Sequence, residues 1–157
     1  MKIDKYDIKI LQMLQENSNQ SVKDIADKIG LSITPCWRRI NNLEENGVIK
    51  SRVAILDKEK LNLPLTAIVS IRTGQHDEAW FESFAASIQN IPEVIEFYRM
   101  SGEIDYMLRV VAPNMTAYDE IYKKIIKIGG MIDINSSFAL EDIKCSTALP
   151  LKYAIEQ

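Results

Sequence analysis

The chain has 157 residues, 46% of them hydrophobic, and a formal net charge of −3. That is enough for one domain of ordinary size or two small ones with packed cores. It argues against a membrane protein, because no apolar run approaches the roughly 18 residues a span needs. The N-terminus MKIDKYDIKILQ mixes charge with apolar residues and does not read as a signal peptide. Cys36 and Cys145 lie far apart, so a disulfide framework is not expected and a reducing cytoplasm is.

The first predicted helix runs from about Asp4, its cap, to Asn17, with Ile10, Leu11 and Leu14 turned inward. A short second helix follows in SVKDIADKIG. Ser21 is its N-cap, with Asp24 three residues on in a capping-box-like position. Val22, Ile25, Ala26 and Ile29 share one face, and Gly30 suits the left-handed residue that ends a helix. Ser32 can cap a third helix almost at once. Two helices joined by about four residues make a helix-turn-helix.

The third helix divides its faces. Cys36, Ile40 and Leu43 fall at i, i+4 and i+7 and are expected to pack inward. Thr34, Trp37, Arg38 and Asn41 lie elsewhere on the cylinder, with Arg39 and Asn42 beside them. Pro35 sits in the first turn, where its missing N–H costs little. A helix N-terminus carries partial positive charge and free N–H groups that suit a phosphate oxygen. Arginine and asparagine read base edges or grip the backbone. The candidate DNA-contacting residues are therefore Ser32, Thr34, Pro35, Trp37, Arg38, Arg39 and Asn42. After Gly47, VIKSRVAIL is β-branched enough for a strand that serves as wing and linker. Lys58 and Lys60 follow in a polar loop, to be read either as phosphate contacts or as solvated charges.

The second half reads as strand, helix, strand, strand, helix, strand. The strands are 66–73, 94–100, 104–112 and 131–140, and the helices are 77–89 and 114–130. Ala67, Val69 and Ile71 are inward on the first strand; Ile104, Tyr106, Leu108 and Val110 alternate on the third. Trp80, Phe81, Phe84, Ala85 and Ile88 line one helix, and Tyr118, Ile121, Tyr122, Ile125 and Ile128 the other. The turn Ser101-Gly102-Glu103 joins the middle strands. This is the ferredoxin-like βαββαβ order, and the tail EDIKCSTALPL is expected to pack back on the sheet.

The fold class is thus α+β: an N-terminal winged helix-turn-helix domain over residues 1–63 and a C-terminal ferredoxin-like domain over 64–157. Charge supports the division. Residues 1–63 hold 11 Lys+Arg against 9 Asp+Glu, whereas 64–157 hold 8 against 13. The basic excess accompanies the helix-turn-helix, as nucleic-acid binding requires. It is modest, so useful DNA affinity calls for a dimer or larger assembly. Enzyme chemistry finds little support. His76, the only histidine, sits in a polar loop without a triad partner, and there is no CxxC pair, histidine cluster or strand-borne phosphate loop.

Four stretches, DIKILQMLQEN, IADKIGLSITPCWRRINNLEENGVI, PEVIEFYRMSGEIDYMLRV and SSFALEDIKCSTALPL, resemble the leucine-responsive/asparagine-regulator (Lrp/AsnC) family of transcription factors. The resemblance spans essentially the whole chain. TPCWRR, the Trp80 segment, FYRMSGEIDYMLRV, YDEIYKK and SSFALEDIK look most like the subgroup that senses cysteine and controls its detoxification. The family implies an effector-binding and oligomerisation (RAM-type) second domain and a homodimer that assembles to tetramers or octamers. It also implies a small amino acid, cysteine or another sulfur or apolar one, as effector, with no other cofactor and no metal. By carry-over, the effector site takes in Met100, Ser101, Gly102, Glu103, Asp105, Met115 and Ser137. Asp105 would pair with the ammonium, backbone N–H groups around Gly102 would hold the carboxylate, and the methionines would pack on the side chain. Glu103 departs from the aspartate common in the family. Gly102 reads equally as a hairpin glycine, Glu103 and Asp105 as solvated turn acids, and Arg99 as a flanking, ion-paired or solvent residue. The alternative function is an amino-acid-binding oligomeric module without specific DNA binding; a small enzyme dependent on His76 is more distant.

Overall fold

The structure, a computed structural model, describes residues 2–75 and 77–154; His76 lies outside them. The chain forms two compact units. One comprises the residues up to Ile55 together with the segment from Lys144; the other is Leu56–Ile143.

The first unit is built on helices α1 (Lys5–Glu16), α2 (Val22–Ile29) and α3 (Ile33–Glu45). The first two starts have a local cause. Asp4 caps α1 by accepting from the N–H groups of Tyr6 and Asp7, and Asp7 reaches back to the Asp4 N–H in a full capping box. Ser21 caps α2 through the Asp24 N–H, and Gly30 ends it at φ 74°. Ile10, Ile25, Ala26, Cys36, Ile40 and Leu43 form the buried core, as the spacing predicts. Each large aliphatic side chain there contributes about 1.5–3 kcal/mol by leaving water.

Two expectations fail in this unit. Residues 48–56 form no strand, and Val53, Ile55 and Leu56 are 69–75% exposed. A strand needs a ladder partner, and among the described residues this segment has none. The tail does not pack on the sheet. Gln15 and Leu149 exchange two hydrogen bonds, from Gln15 Nε2 to the Leu149 carbonyl at 3.2 Å and from the Leu149 N–H to Gln15 Oε1 at 2.7 Å. Leu151, in a short 3₁₀ turn, packs against the helical core. The tail has no alternating pattern to pair with a sheet, so its few anchors decide its place.

The second unit runs β1 (Leu65–Thr73), α4 (Glu78–Gln89), β2 (Val94–Arg99), β3 (Tyr106–Ala112), α5 (Met115–Ile128) and β4 (Met131–Phe138). The four strands are antiparallel in the order β2-β3-β1-β4, which is the ferredoxin-like arrangement. Ala67, Val69, Ile71, Tyr106, Leu108 and Val110 share a core with Phe84 and Ile88 of α4 and Tyr118, Ile121 and Ile125 of α5. Phe84 is its centre, stacked on Trp80 at 4.8 Å and flanked by Tyr106 and Phe97. After α5, Gly129 and Gly130 both have φ 77°. A Cβ on Gly130 would lie 2.3 Å from the Trp80 indole nitrogen, so only glycine fits.

The alternate positions of the strands form the sheet's other face. Ser70 stands between Met107 and Asn135, Ile68 between Arg109 and Ser137, and Arg72 beside Asp133. Arg109 pairs there with Glu96. Ile104 precedes β3, and its side chain lines a groove on this face rather than joining the core.

Candidate DNA-binding helix and effector groove

On α3, Thr34, Pro35, Trp37, Arg38 and Asn42 are exposed, with Trp37 at 51%. Buried Cys36, Ile40 and Leu43 occupy the opposite face. Ser32 occupies the N-cap position, but its side chain makes no capping hydrogen bond. The first turn of α3 therefore keeps N–H groups that a side chain would otherwise satisfy. Burial pushes the Cys36 thiol up, with a smaller opposing pull from the Arg39 charge, which suits a packing group rather than a nucleophile.

Arg39 stands apart from its neighbours. Its guanidinium donates to Asp7 Oδ1 at 2.7 Å, lies 2.8 Å from Asp4 Oδ2 and covers the Tyr6 ring at 5.4 Å. The Asp7 and Asp4 side chains in turn hold the Arg39 pKa up against the smaller opposing effect of burial. Lys58 is also engaged, with Asp142 at 2.7 Å and the Thr66 hydroxyl at 2.8 Å.

In the second unit, a groove on the helix-free face of the sheet is lined by Ser70, Arg72, Glu103, Ile104, Asp133, Asn135 and Ser137. It combines one cationic and two anionic side chains with neutral hydrogen-bonding groups. Among the described residues, Arg72 makes no ion pair. Beside the groove, the turn of Ser101, Gly102 and Glu103 is exposed, and Gly102 has φ 117°. None of its three N–H groups forms a hydrogen bond among the described residues.

The structure does not gather all seven expected effector residues in one place. Glu103 and Ser137 line this groove, while Met115 lines another, between α5 and β4, with Tyr118, Tyr122 and Phe138. There burial raises the Tyr118 phenol, partly offset by its hydrogen bond to the Ser136 hydroxyl. Met100 is 37% and Met115 55% exposed. Asp105 does structural duty: its Oδ2 accepts the Thr73 N–H at 2.8 Å, its own N–H donates to the Ile71 carbonyl, and its carbonyl accepts from Met100. It thereby locks the turn to the end of β1. Arg99 covers the Phe81 ring at 5.8 Å. Arg72, Asp133 and Asn135 went unnoticed in sequence. Their signal, polar residues at the positions alternating with the apolar ones, becomes a site only once β1 and β4 pair.

Comparison with known proteins bears on both units. Residues 3–50 match the winged helix-turn-helix DNA-binding model, and residues 66–149 the Lrp/AsnC ligand binding domain. The chain belongs to the Lrp/AsnC family. It is 42% identical over 151 residues to the DNA-binding transcriptional activator DecR of Escherichia coli (strain K12), covering 96% of this chain and 99% of that one. The structure of an AsnC family transcriptional regulator from Agrobacterium tumefaciens superposes with a TM-score of 0.93 at 52% identity, covering 96% and 99% of the two chains. A transcriptional regulator of Neisseria meningitidis, solved in complex with L-Met, gives a TM-score of 0.92 at 35% identity over 98% of this chain and 100% of that one. This Lrp/AsnC chain is a DNA-binding transcriptional regulator, and the matched relatives are regulators rather than enzymes. Among the described residues, no helix is long and apolar enough to cross a membrane.

Proposed function

We propose that this regulator senses a free amino acid in the groove on its ligand-binding unit and transmits the signal to DNA held by α3. The observation that carries the reading is the groove's charge arrangement: uncommitted Arg72 suits a carboxylate, and Asp133 and Glu103 suit an ammonium. The free N–H groups of the 101–103 turn offer a second hold on an anion. The L-Met complex of the neisserial relative supports an amino acid as the effector class. Ile104, the apolar member of the groove lining, favours a sulfur-containing or apolar side chain, cysteine included.

On the DNA side, Ser32, Thr34, Pro35, Trp37, Arg38 and Asn42 make the contacts, and α3 enters the major groove from its N-terminal end. The working unit is a homodimer that assembles to tetramers or octamers in the cytoplasm. The segment with exposed Val53, Ile55 and Leu56 supports association, since apolar side chains left in water gain by burial against a second copy. An effector alters DNA affinity only as far as it prefers one assembly or arrangement over another.

The test is thermal unfolding against each standard amino acid at millimolar concentration. A native-state ligand raises stability by about 2.7 kcal/mol at a hundredfold excess over its Kd. A shift with cysteine, methionine or a close relative is expected. No shift with any amino acid overturns the sensor reading.

A further inference from the structure

Adjacent arginines on α3 are in opposite situations. Arg38 is exposed, and among the described residues it makes no ion pair. Arg39 has a side chain only 32% exposed, set between two carboxylates of α1's first turn.

Those carboxylates are themselves doubly used. Asp4 spends Oδ1 on the N–H groups of Tyr6 and Asp7, and turns Oδ2 to Arg39. Asp7 spends Oδ2 on the Asp4 N–H, and turns Oδ1 to Arg39. One half of each carboxylate caps α1; the other half holds α3. The Asp7 side chain is only 8% exposed, so removing its cation would strand a buried charge. Both acids take the same nitrogen, Nη1, and so hold the guanidinium against the first turn of α1.

We propose that Arg39 is a positioning residue for DNA binding: it ties the capping box of α1 to the middle of α3 and so fixes the rotation at which Trp37, Arg38 and Asn42 face the DNA. The proposal rests on α3 being the DNA-contacting helix. The apolar anchors Cys36, Ile40 and Leu43 bury one stripe of α3, but apolar packing is non-directional. A guanidinium held by two separately anchored carboxylates is directional, because its donors lie in a fixed plane.

The experiment uses the full chain and a duplex that the wild-type protein selects from a randomised DNA pool. Affinity is measured across a salt series for Arg39→Ala, Arg39→Lys, Asp7→Asn, Asp4→Asn and Arg38→Ala, at a temperature where circular dichroism shows each fully folded. Arg39→Ala and Asp7→Asn are expected to weaken binding alike, by about tenfold or more, comparable to losing one good base contact. Their salt dependence is expected to keep the wild-type slope, and Arg39→Lys to recover part of the affinity. A phosphate contact at Arg39 would instead flatten the slope by about one per subunit, with Asp7→Asn left at wild-type affinity; that result overturns the proposal. So does a lowered Tm with unchanged affinity in the folded protein, which marks a purely structural pair. If Arg39→Ala does not fold, Arg39→Lys and Asp4→Asn decide by the same readouts, since Asp4 is 45% exposed and its loss is milder. A wild-type protein that enriches no duplex overturns the DNA reading itself, and this proposal with it.

Discussion

The helical unit and the sheet unit assemble their candidate functional surfaces from different distances along the chain. The exposed residues of α3 lie within about three turns of one helix, and their presentation follows from one apolar stripe, Cys36, Ile40 and Leu43. The groove of the sheet unit takes Ser70 and Arg72 from β1, Glu103 from the turn before β3, and Asp133, Asn135 and Ser137 from β4. Nothing local brings these together; strand register does. A helix face therefore survives small changes elsewhere, whereas a groove on a sheet inherits every error in pairing. The helical unit has one counterexample in Arg39, whose role depends on α1.

The largest disruption of that contrast is Phe84→Ala. Phe84 is fully buried and touches three aromatic rings, so its loss costs about 3–5 kcal/mol. Denaturant unfolding should show the loss in the sheet unit, with effector response disappearing first. If DNA binding fails before effector binding, the two units are more tightly coupled than their separate cores imply. Arg72→Gln comes next. It is expected to abolish most of the stabilisation a bound amino acid provides, up to about 2.7 kcal/mol at a hundredfold excess, while affinity for DNA without effector stays at the wild-type level. A full thermal shift in this variant would place the carboxylate elsewhere.

Gly130→Ala tests whether a single backbone position controls the sheet unit. Positive φ and the Trp80 ring both oppose a methyl group, for an expected loss of about 1–3 kcal/mol, read as a lower Tm. Arg38→Ala is expected to weaken DNA binding by about 1–3 kcal/mol at unchanged stability; a wild-type isotherm would remove α3 from the DNA interface. Ser21→Ala is the smallest change, about 1 kcal/mol of stability from the lost cap on α2, leaving effector binding untouched.

Acid provides a graded version of the same comparison. Burial alone would raise the Asp4 carboxyl, but the Asp7 N–H, the Arg39 side chain and the Tyr6 N–H together hold it below its ordinary value. A carboxyl depressed in the folded state adds stability above its unfolded pKa and loses it as pH falls through the folded one. The Asp4–Arg39 link is thus intact at neutral pH and released only in strong acid.

Local sequence was sufficient wherever a structure depends on neighbours within a few residues. Ser21, Gly30, the i, i+4, i+7 stripe of α3 and the alternation of β1 and β3 specify caps, faces and strands through hydrogen bonds and burial that operate over one or two turns or a pleat. The resemblance to the Lrp/AsnC family was legible in the same way, as motifs in order along the chain. Tertiary structure decided the rest. It committed Arg39 to Asp4 and Asp7, and Asp105 to the Thr73 N–H. It left residues 48–56 without a ladder, drew Leu149 to Gln15, and made Arg72 and Asp133 neighbours. The physical reason is common to all of these. A charge, a strand edge or a tail satisfies its bonding at whatever partner folding brings within reach, and periodicity carries no record of which partner that is.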